Sequence, residues 1–330
     1  MSLYQASRSF AAVALIAASA LLGACGGGGG SGSASSTAAS NQLKLSTAVQ
    51  SEPVARYAAA FGILSGPGVG AIYSSVVQSL VTGVTSSAAT TTKLCPGSGS
   101  IDIATQNAGA SGLQSGETAT VTFNQCVGQV QAPAVSSSAS VSGSVTVQVQ
   151  SAQGVVGNES ADWSYTAVET ANNLTLTSPD GVTSVSGTVT FSMSYDAATG
   201  ATTTIASAPT VTLDITHTAT SGNVSGTITI TSLAYSRLHG VDPSSDTLST
   251  SGAVSVQASD AVIAFSVTTP AAVTISNGDL QGGVIQLTDD GAVETITASG
   301  ASSVNVVVTA NSQTGTYSES VDSLEQLTGS

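Results

Sequence analysis

The stretch VSGTVTFSMSY, at residues 185–195, decides the fold class of this 330-residue chain. Its apolar and hydroxyl side chains alternate: Val189, Phe191, Met193 and Tyr195 against Thr188, Thr190, Ser192 and Ser194. A period of two is that of a β-strand with one face buried and the other in water. We therefore predict a strand whose apolar residues face the core and whose hydroxyls face solvent.

Variants of this stretch recur along the chain, which indicates an architecture built from many similar strands. They are VSGSVTVQVQ from Val141, VSGTITITSLAY from Val224 and the weaker TSGAVSVQA from Thr250, with their glycines at Gly143, Gly187, Gly226 and Gly252. Between them lie further alternating segments and turn signals such as SPDG and DAATG. This order is typical of long antiparallel strands that run out and back, about twelve to fifteen in all.

The strand pattern predicts a mainly β protein with one large curved antiparallel sheet. Because a twisted sheet this large cannot stay open and flat, it must form a half-barrel, a barrel or a sandwich. We favour a strongly curved sheet whose apolar concave face is partly covered by helices.

Those helices are expected before the strands, as a short N-terminal pair. SEPVARYAAAFGILSG begins with a Ser51 cap and has Pro53 in its first turn, and GAIYSSVVQSLVTG has an apolar face of helical period. We interpret GPGVG, from Gly66, as the turn between them. The predicted division is residues 42–92 for the helical pair and 93–330 for the β domain.

The N-terminal residues have the pattern of an export signal and not of a structural element. Arg8 precedes a short apolar run, FAAVALIAASALL, and then Leu22, Gly23, Ala24 and Cys25. This order resembles the lipobox of bacterial lipoproteins. The resemblance implies that residues 1–24 are a signal peptide and that Cys25 carries lipid after the leader is removed. The strands and paired cysteines also resemble uncharacterised β-rich envelope lipoproteins of proteobacteria, and this resemblance implies no activity.

The segment that follows Cys25 is suited to a tether. Residues 26–40 are only Gly, Ser, Ala and Thr, which cannot form a core and behave as flexible coil with a reach of roughly 20–25 Å. Residues 25–41 are therefore interpreted as lipidated cysteine and tether. Among Gram-negative lipoproteins, a residue other than aspartate after the cysteine implies the outer membrane, and here that residue is Gly26.

Composition limits the partners. Only 7% of residues are charged, with 19 Asp and Glu against 5 Lys and Arg, so nucleic acid is excluded as a partner because there is no basic face for phosphates. The other two cysteines, Cys95 and Cys126, form an even pair in an exported chain. We predict a disulfide between them rather than a metal site, since no further Cys or His lies near them in the sequence.

The chain contains no motif that specifies chemistry. His217 and His239 are its two histidines, and no Gly-x-Ser-x-Gly elbow selects a serine to join them. Acidic residues cluster weakly, at Asp242 and Asp246 and at Asp289, Asp290 and Glu294, without the spacing of a calcium loop. No metal ligands, catalytic residues or cofactor are predicted. Arg237 and His239, at a strand end, are a candidate polar contact site.

Two functions remain open. The first is an outer-membrane-anchored envelope lipoprotein with a non-catalytic binding or scaffolding role, whose partner besides the membrane is a lipid, a glycan or another envelope protein. The alternative is a hydrolase of an envelope polymer, with a site assembled from separated loops. The position of the histidines relative to carboxylates and hydroxyls discriminates between them.

The lipid anchor leads to the first testable prediction. Cys25→Ala removes the thiol that would accept diacylglycerol, so the variant precursor should remain uncleaved and should incorporate no labelled palmitate. Metabolic labelling followed by mass measurement of the mature chain checks this. Equal palmitate incorporation in the variant and the wild type would refute the anchor.

Overall fold

The structure, a computed structural model, describes residues 41–83, 90–108, 112–130, 138–179, 181–219, 222–241, 244–258, 261–277, 279–321 and 323–324. These residues form a mainly β protein, as the sequence predicts, and the strands are preceded by one long helix. A 3-10 helix spans Leu45–Val49, and the helix α1 spans Glu52–Gly83. The strands are β1 (Asn41–Leu43), β2 (Thr90–Leu94), β3 (Ser98–Gln106), β4 (Thr118–Val127), β5 (Ser140–Gln153), β6 (Trp163–Ser178), β7 (Gly181–Asp196), β8 (Ala201–Ala219), β9 (Gly222–Val241), β10 (Ser244–Ala258), β11 (Ala261–Ser276), β12 (Asp279–Asp289), β13 (Ala292–Gly300), β14 (Ser303–Ala310) and β15 (Gln313–Ser320).

The fifteen described strands form a single sheet with simple topology. From β2 to β15 each strand pairs antiparallel with the next one in the chain. The short β1 pairs parallel to the first residues of β11, beyond the point where β12 stops pairing with β11. The sheet is not closed. The structure is therefore consistent with the favoured curved sheet and not with a closed barrel.

A row of irregularities crosses the middle of the sheet from β4 to β12. On neighbouring strands the regular pairing is interrupted at Gln125, Gly143, Asn173, Gly187, Pro209, Ser232, Gly252, Pro270 and Gly283. All of these except the two prolines have positive φ. Because a β-bulge bends its strand and increases the local twist, nine aligned irregularities curl the sheet along one line.

The repeated Val-Ser-Gly sequence has a defined role in this row. At the bulges in β4 and β6, backbone N–H groups lose their ladder partners. Ser142 Oγ accepts the N–H of Gln125 at 3.3 Å, and Ser186 Oγ accepts the N–H of Asn173 at 3.0 Å. The following glycine adopts positive φ, as at Gly187, where a Cβ would lie 2.8 Å from the carbonyl oxygen of Thr210. Serine and glycine therefore act together at the bends around Gly143 and Gly187.

Gly226 does not share this role with the other three glycines of the repeat. It pairs with Ile215 on one side and Ala258 on the other, within runs of regular register. The irregularity of β9 lies six residues further along, at Ser232. The sequence copies are therefore alike in pattern, but only three of them place glycine at the bend.

The helix α1 lies along the inner face of the sheet, which is the face it packs against. It contacts strands from β2 at one edge to β15 at the other, which requires the sheet to curve around it. Gly62, Gly66 and Gly70 lie one helical turn apart and meet Leu287, Thr250 and Tyr235 so closely that a Cβ at any of them would clash. The Tyr73 hydroxyl donates to the carbonyl oxygen of Gly187 at 3.0 Å, so the helix is also bonded to the row of bends.

The predicted helical pair is wrong in one respect: α1 is continuous through the GPGVG segment. Pro67 lies inside the helix, although proline removes a backbone hydrogen bond and commonly breaks a helix. Here the helix on both sides of Pro67 is buried against one continuous sheet face. Packing favours a single helix over two that would diverge at a turn. Residues 42–92 accordingly contain most of β1, the 3-10 helix, α1 and the start of β2.

The alternation predicted for β7 is confirmed. Val189 and Phe191 are fully buried on the inner face, and Met193 and Tyr195 pack against the core. The intervening hydroxyls lie on the opposite face, which we call the outer face, where Thr188 bonds Thr170 and Ser192 bonds Thr166, each at 3.0 Å.

Residues Glu52–Val81 of α1 are long and apolar enough to cross a membrane by length and composition. Of the most apolar window, 65% is buried inside the protein. The sheet accounts for this burial, and a helix that forms the core of a β protein has the same composition.

The bends lead to a prediction that compares two adjacent glycines of β12. Gly283 has a φ of 119°, and a Cβ there would lie 2.5 Å from the Cα of Val273, whereas a Cβ at Gly282 would make only an ordinary contact at 3.6 Å. We expect Gly283→Ala to lower the free energy of unfolding by about 2 kcal/mol or more, through strain and backbone clash. Gly282→Ala should change it by about 1 kcal/mol at most. Urea titration measures both, and equal losses would contradict the assigned bend.

Candidate functional site

The predicted lipidation site cannot be placed, because Cys25 and residues 1–40 lie outside the described residues. The described chain begins at Asn41 in β1, whose residues pair with Ala261–Ile263 of β11. Two contacts hold the start of the described chain against the turn between β12 and β13. Lys44 Nζ lies 3.1 Å from Asp290 Oδ2, and Asp289 Oδ2 accepts the N–H of Leu45 at 3.3 Å.

The predicted disulfide is confirmed. Cys95 and Cys126 are bonded, with their Cα atoms 5.5 Å apart, and both are buried. The bulge in β4 makes this bond geometrically accessible. Asn124 and Gln125 both face outward, so Cys126 returns to the inner side. A crosslink over 31 residues stabilises the fold by roughly 3–4 kcal/mol in the chain-entropy description.

Arg237 and His239, the candidate polar contact site, are brought together by a third residue. Arg237 Nε donates to Asp246 Oδ1 at 2.6 Å, and His239 Nδ1 lies 3.1 Å from the same oxygen. All three are partly exposed, at 21–31% of the side-chain surface. They lie on the inner face, because Tyr235 on the same side of β9 packs against α1. The result is a compact charge cluster in which one carboxylate serves two basic groups.

The other residues considered for hydrolysis are dispersed. The side chain of His217 and the whole of Asp242 lie outside the described residues. Thr202, which carries a hydroxyl, stands directly opposite His239 in the sheet. Among the described residues, however, His239 is hydrogen-bonded to Asp246. The weak acidic cluster near residue 290 is divided between faces, since Glu294 is buried while Asp290 is exposed. Within the described ranges, no group of three His, Cys, Asp or Glu could hold a metal ion.

Two buried glutamates were not anticipated from the sequence. Glu169 of β6 and Glu294 of β13 each have no exposed surface, and their carboxylate oxygens have no hydrogen-bond partner in the described structure. Burial raises the pKa of both carboxyl groups well above the ordinary value of 4.5. Burial also raises the pKa of Tyr73, and the nearby Glu169 adds to that rise. Burial therefore favours the protonated form of both carboxyl groups.

The outer face is a broad surface rich in hydroxyls. Over β6 to β9 several of these hydroxyls bond one another across strands, as Thr216 does with Ser225 at 3.2 Å. In each such pair one hydroxyl donates and the other accepts, so part of the hydrogen-bonding capacity of this face is used within the sheet.

A groove interrupts this face over β9 to β12, and we call it the outer groove. Its floor is made of small side chains, and hydroxyls and a turn form its sides; the floor is Ala253, Ser255, Ala264 and Ser266, and the sides are Thr229, Thr231, Thr288, Asp289, Asp290 and Gly291. The volume is about 620 Å³, within the range of ligand sites. The register explains the depression, because small residues of β10 and β11 stand side by side.

The groove also lies where the chain enters the fold. The turn that forms one side of it, Asp289 to Gly291, is the turn that Lys44 and Leu45 contact. A predicted weak acidic cluster thus contributes two carboxylates to the candidate site. The sequence signal that could have indicated the rest is the run of Ala and Ser on the polar face of β10 and β11, where the other strands carry mostly Thr.

Comparison of the chain with protein-family models, with curated proteins and with solved structures gives no match.

The buried Glu169 gives a prediction for pH. Since its pKa is raised in the folded state, its contribution to stability is complete below pH 4.5 and is lost as the pH rises towards the folded-state pKa. Glu169→Gln cannot ionise. The free energy of unfolding of this variant, relative to wild type, should therefore increase between about pH 4 and pH 8.

Urea titrations at a series of pH values measure this difference. Glu159→Gln, in an exposed loop, is the control and should follow the wild type throughout. A constant difference between Glu169→Gln and wild type over the whole pH range would show that the carboxyl is not held protonated in the core.

Proposed function

We propose that this protein is an outer-membrane-anchored envelope lipoprotein that binds a ligand at its outer groove without reacting with it. The observation that carries the proposal is the groove itself, with its hydroxyl and carboxylate sides on a sheet fixed to a buried helix. The predicted lipid at Cys25 and the tether would hold this surface within roughly 25 Å of the membrane.

The position of the groove supports a role at a membrane. The tether would join the fold at β1, and the residues just after β1 contact the turn beside the groove. A ligand in the groove would therefore lie close to the anchored end of the protein. The anchor would supply location, and the groove would supply selectivity.

The rigidity of the scaffold supports binding rather than a moving site. The groove strands belong to one continuous antiparallel ladder, and on the opposite face β9, β10 and β12 pack on α1 while β11 packs on the 3-10 helix. Binding to a surface already held in shape avoids the entropic cost of ordering loops.

Hydrolysis of an envelope polymer is the second candidate function, and one observation favours it. Asp246 orients His239 from 3.1 Å, which is the arrangement of a carboxylate behind a general base. Arg237 competes for the same carboxylate oxygen, and this favours a structural ion pair over a base that must gain and lose a proton.

A single experiment separates the two functions. Detergent-solubilised full-length protein is incubated with washed, insoluble envelope polysaccharide, and both co-sedimentation and soluble reducing ends are measured. We expect co-sedimentation without release of reducing ends, and the same result for His239→Gln. Reducing ends that accumulate with wild type and disappear with His239→Gln would overturn the binding proposal in favour of hydrolysis, and protein left wholly in the supernatant would overturn it as well.

A further inference from the structure

We infer that the outer groove is a binding site for a neutral oligosaccharide, an assignment that rests on the proposed binding function and names its ligand class. The inference comes from the hydrogen-bonding state of the groove hydroxyls, the acceptors on the turn and the charge of the chain.

Several hydroxyls of the groove have no side-chain hydrogen-bond partner. Among the described residues, five of them have no side-chain hydrogen bond: Thr229, Thr231, Ser255, Ser266 and Thr288. Elsewhere on this face some hydroxyls are hydrogen-bonded across strands, as Thr170 is with Thr188 and Thr166 is with Ser192, each at 3.0 Å. The groove therefore holds a set of donors and acceptors that a ligand can use.

The register explains the shape of the groove. Ala253 stands opposite both Thr231 and Ser266, and Ala264 stands opposite Ser255. These alanines lower the floor beside the hydroxyls, so a ligand that lies on the floor can reach them.

The turn adds stronger acceptors. Asp289 and Asp290 each use their Oδ2 oxygen to hold the entering chain, through Leu45 and Lys44. Their Oδ1 oxygens remain as acceptors beside the groove hydroxyls. A ligand that matches this arrangement must carry many hydroxyls, since each can donate to a carboxylate and also exchange hydrogen bonds with Ser and Thr. A saccharide has that chemistry.

Charge restricts the saccharide to neutral ones. The chain carries a formal net charge of −14. Lys44, the basic residue at the groove, is committed to Asp290. Sulfated, phosphorylated or uronic-acid sugars would be repelled by the two carboxylates. Phe265 faces the core, so the groove has no aromatic ring for sugar stacking, and we expect weak binding in fast exchange.

The probes are cellohexaose, maltohexaose and chitohexaose, with a heparin hexasaccharide as the anionic comparison. Binding to the detergent-solubilised full chain is followed by saturation-transfer NMR and by calorimetry. A second arm uses phosphatidylcholine vesicles with and without a neutral disaccharide glycolipid. Binding of the soluble hexasaccharides alone assigns a polymer as the source of the sugar, and binding of the glycolipid vesicles alone assigns a lipid headgroup.

The variants are chosen as a matched pair. Ala264→Leu fills the floor of the groove, and Ala104→Leu makes the same change at an exposed outward position of β3, across the sheet. We expect Ala264→Leu to weaken binding at least tenfold and Ala104→Leu to leave it within twofold. Ser266→Ala, which removes one hydroxyl without adding bulk, should weaken binding about threefold to tenfold. Thermal melting of each variant confirms that the fold is retained.

Several results would overturn the assignment. These are the absence of binding by every neutral probe at millimolar concentration, tighter binding of the heparin probe, or equal binding by Ala264→Leu and wild type. If wild type and Ala264→Leu sediment equally with envelope polysaccharide, the binding function stands and the groove assignment fails. If neither sediments, the function itself fails.

Discussion

The row of bends across β4 to β12 is the constraint on which the rest of the structure depends. A single antiparallel sheet of fourteen consecutive strands would expose its apolar face if it were flat, and one helix could cover only part of it. Each bend contributes twist and curvature, and because the bends are aligned their effects add along one line.

The cost of each bulge is an unpaired N–H and a strained φ. Ser142 and Ser186 satisfy the first, and glycine removes the second at Gly143 and Gly187. At Pro270 the Thr269 hydroxyl accepts the N–H of Thr250 and donates to its carbonyl, each at 2.9 Å, in place of the missing ladder bonds.

The same bends determine which side chains face the helix and which face solvent. In β4, β6 and β9 an extra outward residue at the bulge shifts the alternation by one position, whereas the alternation keeps its phase across the glycines of β5, β7 and β10. In β6 the inward residues are odd-numbered up to Ala171 and even-numbered from Leu174. In β9 the shift at Ser232 places Tyr235, and with it Arg237 and His239, on the inner side. In β4 it turns Cys126 inward towards Cys95. The disulfide, the charge cluster and the contact between Tyr235 and α1 thus all follow from a shift of the side-chain alternation at a bulge.

The fold class, the antiparallel order and the disulfide could be predicted from the sequence because period-two alternation and cysteine pairing are local signals. Three features could not be, for related reasons. Pro67 is a local signal for a break, but the helix around it is held by a sheet formed much later in the chain. Pro209 and Pro270 occur inside long strands because they fall at bends, where a missing N–H interrupts no regular ladder. The Asn and Gln pairs at residues 124–125 and 172–173 do break the alternation, and this phase shift was the available signal for the bulges.

The candidate site was harder to predict because it depends on which residues stand opposite each other. Arg237 and Asp246 are nine residues apart in the chain, and only the register of β9 against β10 makes them partners. The outer groove needs four strands in register, so that Ala253 and Ala264 fall beside the hydroxyls of neighbouring strands. Composition suggested a uniform hydroxyl face, which is the case over β6 to β9. The register of β10 against β11 places small side chains side by side within that face, and this lowers the surface into a groove. Hydroxyls and the carboxylates of one turn surround the floor of the groove, so the candidate site follows from strand register and not from composition.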